Sequence, residues 1–209
     1  MRTKRVEDFE PLLAAYGKRK HPLEYGNRYQ LVVMVMLSAR DSDRHINSLA
    51  PRLFKSYPNV EALAAAKPEE LLAYTGEVTN GSSKTEWLLR LAKSVGTDEG
   101  IPTRLEGLVA LPGIGRKSAN VIIRESGGDA EGIIVDLHVI RTAPRIGLAA
   151  GQNAERIEKR LMEFFPQNRW NEIGMALSFL GREICRPSAP KCGACPAAAV
   201  CDYREALGR

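Results

Sequence analysis

The sequence predicts an all-α protein. Three observations carry that reading: long segments keep the helical spacing of apolar residues, helix start and stop signals recur where that spacing begins or ends, and strand-like alternation is nearly absent. The chain is 209 residues long, 44% hydrophobic and 26% charged, enough for one large domain or two small ones.

The first strong element is the apolar run Leu31 to Leu37, which fits a buried strand or a buried helix; its methionines and its helical neighbours favour the helix. It is also the longest such run, far short of the ~20 residues a membrane helix needs, so a spanning segment is excluded. Residues 60–66 and 68–74 read as two short helices, the second with Pro68 in its first turn and Gly76 just past its end. Ser83-Lys-Thr-Glu86 predicts a capping box opening a helix with Trp87, Leu88, Leu91 and Val95 inward, closed by Gly96. Thr103-Arg-Leu-Glu106 predicts a second box. Its helix runs into Leu111-Pro-Gly-Ile-Gly115, after which residues 116–125 resume helical spacing as far as Gly127-Gly128. Asn153 can cap a helix with Ile157, Leu161 and Phe164 inward, and Ile173, Leu177, Leu180 and Ile184 mark another that ends at the cysteines. The Gly127-Gly128 break and the cysteine cluster divide the chain near residue 130, with 21–130 as one unit.

Lysine plus arginine is 30 against 25 for aspartate plus glutamate, a net charge of +5 that favours a polyanionic partner. The N-terminus lacks the apolar segment of a signal peptide, so the expected location is cytoplasmic and disulfides are not expected.

Residues 105–125 have the pattern of two short helices around a tight turn. Gly113 and Gly115 stand where backbone must bend or approach another surface, and the amides opening the Arg116 helix, with its dipole, can accept a phosphate oxygen without reading a base. A bare αα-corner would use the same glycines only to turn. Lys117 lies in the first helical turn, where the positive helix end and Arg116 both disfavour its ammonium form. A neutral amine is a nucleophile, and beside bound phosphate its natural target is a sugar C1′; the plainer alternative is a phosphate contact. Val135-Asp-Leu-His-Val139 carries Asp136 and His138. Taken alone they read as a helix cap and a polar core group, but the carboxylate could also take the lysine's proton or stabilise charge developing on a sugar.

All four cysteines fall in one run, Cys185-x6-Cys192-x2-Cys195-x5-Cys201. Zinc accepts four thiolates but favours pairs separated by longer spacers, whereas iron–sulfur clusters commonly use such single runs, which places [4Fe-4S] ahead of zinc. Closing the loop would present Arg186 and Lys191 at one surface, suited to phosphate or simply to solvent.

The hairpin Leu111-Pro-Gly-Ile-Gly-Arg-Lys-Ser-Ala119, the segment Val135-Asp-Leu-His-Val139 and the terminal cysteine run together resemble the endonuclease III family, as do residues 37–43 and 181–185. The resemblance implies a helix-hairpin-helix glycosylase fold. A six-helix barrel domain (21–130) would pair with an iron–sulfur domain (1–20 and 131–209), with DNA held between them. It also implies a bifunctional DNA glycosylase and abasic-site lyase acting on oxidised pyrimidines, monomeric and associated with the nucleoid in a bacterium. Its substrate would be double-stranded DNA carrying a damaged base or an abasic site, and no membrane would be involved. Lys117 matches the family's nucleophile, Asp136 its essential partner, and Cys185, Cys192, Cys195 and Cys201 its [4Fe-4S] ligands. Expected DNA contacts are Arg40, Gly113, Gly115, Arg116, His138, Arg186 and Lys191.

The family usually has glutamine where Arg40 stands and threonine where Leu137 stands. Residues 76–84 look longer than its compact loop and lack its apolar wedge, and Pro144 is unusual in its stretch. These departures imply weaker positioning of the carboxylate, a wider site and altered damage recognition. The competing expectations are a DNA-binding module of the same fold with little catalysis, a monofunctional glycosylase, for which Lys117 would be superfluous, and a helical protein stapled by zinc.

Overall fold

The computed structural model describes residues 3–208 and is helical throughout, with no strand among the described residues. In chain order the α-helices are α1 (Glu10–Tyr16), α2 (Arg28–Leu37), α3 (Asp43–Ser56), α4 (Val60–Ala64), α5 (Pro68–Thr75), α6 (Gly81–Val95), α7 (Leu105–Val109), α8 (Arg116–Glu125), α9 (Leu137–Ile146), α10 (Ala154–Phe164), α11 (Trp170–Glu183) and α12 (Asp202–Ala206). The chain forms two compact units, one joining Met1–Lys20 to Asp129–Arg209 and the other comprising His21–Gly128.

The His21–Gly128 unit is built on α2. Every side chain from Leu31 to Leu37 is buried, so this run is apolar all round because the helix has no solvent face. Asn27 caps its start by accepting the Gln30 amide at 2.8 Å, and the buried Tyr29 hydroxyl donates to the Tyr57 carbonyl at 2.8 Å. Helix α2 packs on α3, α6 and α8, while α4 and α5 both pack on α6.

Neither predicted capping box forms. Helix α6 begins two turn positions earlier than Ser83, after Asn80 in the left-handed region, and its buried face is Gly81, Lys84, Thr85, Leu88, Leu89, Leu91 and Ala92 rather than the stripe through Trp87 and Val95. The early start follows from contact: Gly81 lies so close to the end of α5 that a Cβ there would meet the Thr75 carbonyl oxygen at 2.3 Å. The connection from α5 to α6 is therefore the short Gly76–Asn80 turn, and Ser82–Lys84 belong to the helix. Before α7 the cap is Arg104, one residue beyond Thr103, with no side-chain cap bond.

In the other unit the N-terminal segment docks on the C-terminal half. Phe9 meets Phe164 and Phe165 edge-on, at 5.7 and 5.3 Å between ring centroids, and Tyr16 stacks on Phe179 at 6.2 Å. Helix α11 is its centre, packed by α1 and α9. Two glycines allow this. A Cβ at Gly174 would meet the Ile134 backbone oxygen at 2.7 Å and nitrogen at 2.8 Å, and one at Gly181 would meet the His138 Cβ at 2.8 Å. Asn153 caps α10 as expected, accepting the Arg156 amide at 2.9 Å. Pro144 is accommodated in the last turn of α9, which ends at Gly147 (φ 90°).

Alanine is worth about 1 kcal/mol over glycine in a helix, whereas overpacking a core costs about 1–3 kcal/mol. Gly174→Ala is therefore expected to lower stability measurably in denaturant titrations, and by more than Gly181→Ala, because its Cβ would meet two backbone atoms of Ile134 closer than 3.0 Å whereas that of Gly181 would meet one such atom, the His138 Cβ.

Candidate functional site

The hairpin lies within the His21–Gly128 unit. Helix α7 turns through Gly113, whose φ of +74° favours glycine and whose missing side chain makes room for Trp87; a Cβ there would meet the indole Cε3 at 2.7 Å. Gly115 differs. It is the N-cap of α8 at an ordinary φ of −88°, and a Cβ there would have nothing within 4 Å. The fold thus requires Gly113, while a side chain at Gly115 would stand in open space at the start of α8, where a phosphate can approach a helix N-terminus. Arg116 and Lys117 follow in the first turn, both exposed.

Arg40 is exposed in the turn from α2 to α3 and sits at φ +62°. Only three non-glycine residues among those described have positive φ: Arg40, Asn80 and Ala189. Each such residue costs on the order of 1–3 kcal/mol and persists only where its surroundings hold it. Around Arg40 the hold is visible. The buried Lys84 ammonium donates to the Leu37 and Ala39 carbonyls, both at 2.7 Å, and burial lowers its pKa from the ordinary lysine value. Asp41 accepts from the Ser42 and Thr79 amides at 2.8 and 3.0 Å and pairs with His45 Nδ1 at 2.9 Å. Burial pushes its pKa up, but those hydrogen bonds prevail and hold it below the usual carboxylate value.

In the second unit Asp136 is the N-cap of α9, its Oδ1 accepting the amides of His138 and Val139 at 2.9 Å each. The plain capping role is therefore real. Its Oδ2 accepts the hydroxyl of Ser178 on α11 at 2.6 Å, and Arg182 stands 4.0 Å away. Leu137 is 67% exposed and takes no part in holding the carboxylate. A hydroxyl does reach the carboxylate, but from Ser178 on another helix rather than from position 137. His138 Nδ1 lies 3.2 Å from Arg141, which also donates to the carbonyls of Gly181 (2.8 Å) and Cys185 (3.0 Å), so His138 is linked to the cysteine loop through one guanidinium.

The four cysteines, with Ile146, Leu180, Ile184 and Pro190, line one cavity. Burial pushes the Cys195 thiol up to about 11 and raises Cys201, each with the other cysteines contributing. Among the described residues no three His, Cys, Asp or Glu side chains converge closely enough to hold a metal ion. The loop is closed by the Arg186 and Lys191 amides, which both donate to the Ile184 carbonyl at 3.0 Å, and both side chains are exposed. Arg145 braces it, donating to the Arg186 and Pro187 carbonyls at 2.7 and 3.0 Å and reaching Cys185 Sγ at 3.5 Å.

The HhH-GPD superfamily of base excision DNA repair proteins matches residues 33–167. Endonuclease III of Synechocystis sp. is 36% identical over 188 residues, covering 88% of this chain and 85% of that protein, and endonuclease III of Bacillus subtilis is 34% identical over 182 residues, covering 86% and 83%. The chain belongs to the endonuclease III family. Solved relatives share its architecture. A non-covalent endonuclease III–DNA complex superimposes with a TM-score of 0.88 at 28% identity over the whole of both chains. A trapped endonuclease III–DNA covalent intermediate does so with a TM-score of 0.87 at 27% identity, covering 97% of this chain and 96% of that one.

Sequence reasoning missed the residues that hold these family positions in place. Ser178, Lys84, Arg141 and Arg145 are polar side chains whose partners are distant in sequence; a lysine and a serine on otherwise buried helical faces were the only signals.

Two outcomes test this geometry. Gly113→Ala should lower the melting temperature, whereas Gly115→Ala should leave it unchanged and weaken DNA binding. Ser178→Ala removes one charge-assisted bond, so chemical denaturation should show a loss of about 1.5–3 kcal/mol.

Proposed function

We propose that this member of the family is a bifunctional DNA glycosylase and abasic-site lyase that removes oxidised pyrimidines from double-stranded DNA, with Lys117 as nucleophile and Asp136 as its acid–base partner. The observation that carries the reading is an exposed lysine in the first turn of α8, two residues past a glycine cap beside which a side chain would meet only open space. A glycosylase that activates water has no need of that amine.

The target nucleotide leaves the stack, which costs least for a damaged pair. The uncharged Lys117 amine attacks C1′, the bond from C1′ to the base breaks, and the base leaves as its anion and takes up a proton. While ionised, the Asp136 carboxylate balances the positive charge that develops on the sugar as the base departs, and it then accepts the proton released from the lysine nitrogen. The C1′–O4′ bond then breaks, O4′ taking the proton held by Asp136 while the nitrogen lone pair forms the second C–N bond, which leaves an iminium between Lys117 and C1′. That iminium acidifies C2′; a base removes a C2′ proton, the electron pair forms a double bond to C3′, and the 3′ phosphate departs. Water hydrolyses the imine and restores the amine. Arg40, Gly113, Gly115, Arg116, His138, Arg186 and Lys191 are assigned to the DNA, the cations neutralising phosphates and the glycine-flanked amides bonding to them.

Cys185, Cys192, Cys195 and Cys201 would hold a [4Fe-4S] cluster; all four line one cavity with Ile146, Leu180, Ile184 and Pro190, and a single cysteine run of this kind is the usual ligand pattern of such clusters. The cluster would supply a covalent staple for the loop bearing Arg186 and Lys191 and takes no part in bond breaking.

Borohydride reduction of reactions on duplexes carrying an abasic site or an oxidised pyrimidine tests the reading. Covalent adducts should form on both and disappear in Lys117→Ala. Strand cleavage or base release that survives in Lys117→Ala at the wild-type rate would contradict it.

A further inference from the structure

The α2–α3 turn, residues 38–42, and the α5–α6 turn, Gly76–Asn80, are each stabilised locally: Asp41 N–H donates to the Ser38 carbonyl at 3.0 Å and Val78 N–H to the Thr75 carbonyl at 3.2 Å. They are also joined to one another by a reciprocal pair of charged groups. The Asp41 carboxylate of the first turn accepts the Thr79 amide of the second. The Lys84 ammonium, one helical turn past the second, donates to the Leu37 carbonyl at the end of α2 and to the Ala39 carbonyl within the first turn. Asp41 of the first turn thus satisfies an amide of the second, and Lys84 on α6 satisfies a carbonyl of the first. The third link, Arg52 to Glu77 at 3.0 Å, has side chains 61% and 52% exposed and contributes little.

The linkage encloses two of the three strained non-glycine residues, Arg40 (φ 62°) and Asn80 (φ 59°). Asp41 neighbours Arg40 directly, and its Oδ2 bond falls on the residue before Asn80. Its other oxygen bonds to Ser42, which caps α3 by accepting the His45 amide at 3.2 Å, and to His45 itself. Asp41 therefore ties both turns to the rigid start of α3. Neither tip residue is apolar. A polar probe gains little from wedging between bases by hydrophobic contact, so its effect depends on being held in place while the stack is opened.

We propose that Asp41 is a positioning residue that couples the turns bearing Arg40 and Asn80 into a single rigid edge, and that this edge sets how well the protein extrudes a damaged base from an intact stack. The inference rests on the glycosylase reading. An abasic site has no base to unstack, so removing the coupling affects base excision far more than the chemistry at an existing abasic site.

Asp41→Ala and Asp41→Asn test the coupling by two readouts. The first is the ratio of base excision, on a duplex with one oxidised pyrimidine, to borohydride trapping on the same duplex with an abasic site. The second is amide hydrogen exchange at Thr79, which does not depend on activity. Asp41→Ala should lower the ratio on the order of tenfold or more, through a raised KM, and should speed exchange at Thr79 while the amides of α8 and α11 stay protected. Asp41→Asn keeps an acceptor oxygen and should restore most of both. Equal loss of excision and trapping, unchanged exchange at Thr79, or failure of asparagine to rescue would each overturn the proposal. Absence of any trapped adduct with the wild-type protein would instead overturn the glycosylase reading, and the exchange result would still decide whether Asp41 couples the turns.

Discussion

The close approach of α9 to α11 is the constraint on which the second unit depends. Gly181 has no side chain to hold the helices apart, since a Cβ there would fall 2.8 Å from the His138 Cβ. That proximity lets the Ser178 hydroxyl reach Asp136 and lets Arg141 reach the Gly181 and Cys185 carbonyls while contacting His138. One packing decision therefore fixes the carboxylate, the imidazole and the first cysteine. Two amides and a hydroxyl hold the Asp136 carboxylate in one orientation, the fixed placement that the proposed role would require of it.

The His21–Gly128 unit follows the same economy with different means. Its two hairpin glycines differ in what they do: Gly113 makes room for Trp87, whereas Gly115 stands beside open space at the start of α8. Its two tight turns instead use charged side chains to satisfy backbone groups. Burying the Lys84 ammonium is costly unless its protons are used, and here two carbonyls at 2.7 Å use them. Asp41 does the converse for donors. The strain at Arg40 and Asn80 is maintained by this exchange rather than by apolar packing, as befits residues that project from the surface.

Helix identity was legible wherever periodicity and composition agreed. The run Leu31–Leu37 was resolved correctly as a helix because its length, methionines and neighbours outweighed its strand-like hydrophobicity, and the hairpin and the cap at Asn153 were read directly. Both capping boxes failed for a tertiary reason or for want of one residue: Gly81 is pulled against the end of α5, so α6 starts before Ser83, and the cap of α7 falls on Arg104 rather than Thr103. The same shift shortened the loop expected at 76–84 and carried Lys84 into the core. The positions matching the family motifs could be read because they cluster around glycines and cysteines. The groups that orient them could not, because Ser178 lies 42 positions from Asp136 and Lys84 lies 47 from Leu37.

The most direct test of the central claim is to locate the covalent bond itself. The adduct trapped by borohydride on an abasic duplex is digested with nuclease and protease, and the peptide carrying the sugar remnant is sequenced by tandem mass spectrometry. The account predicts one modified site, the Nζ of Lys117. Modification at another lysine, with Lys117 recovered unmodified, would contradict it.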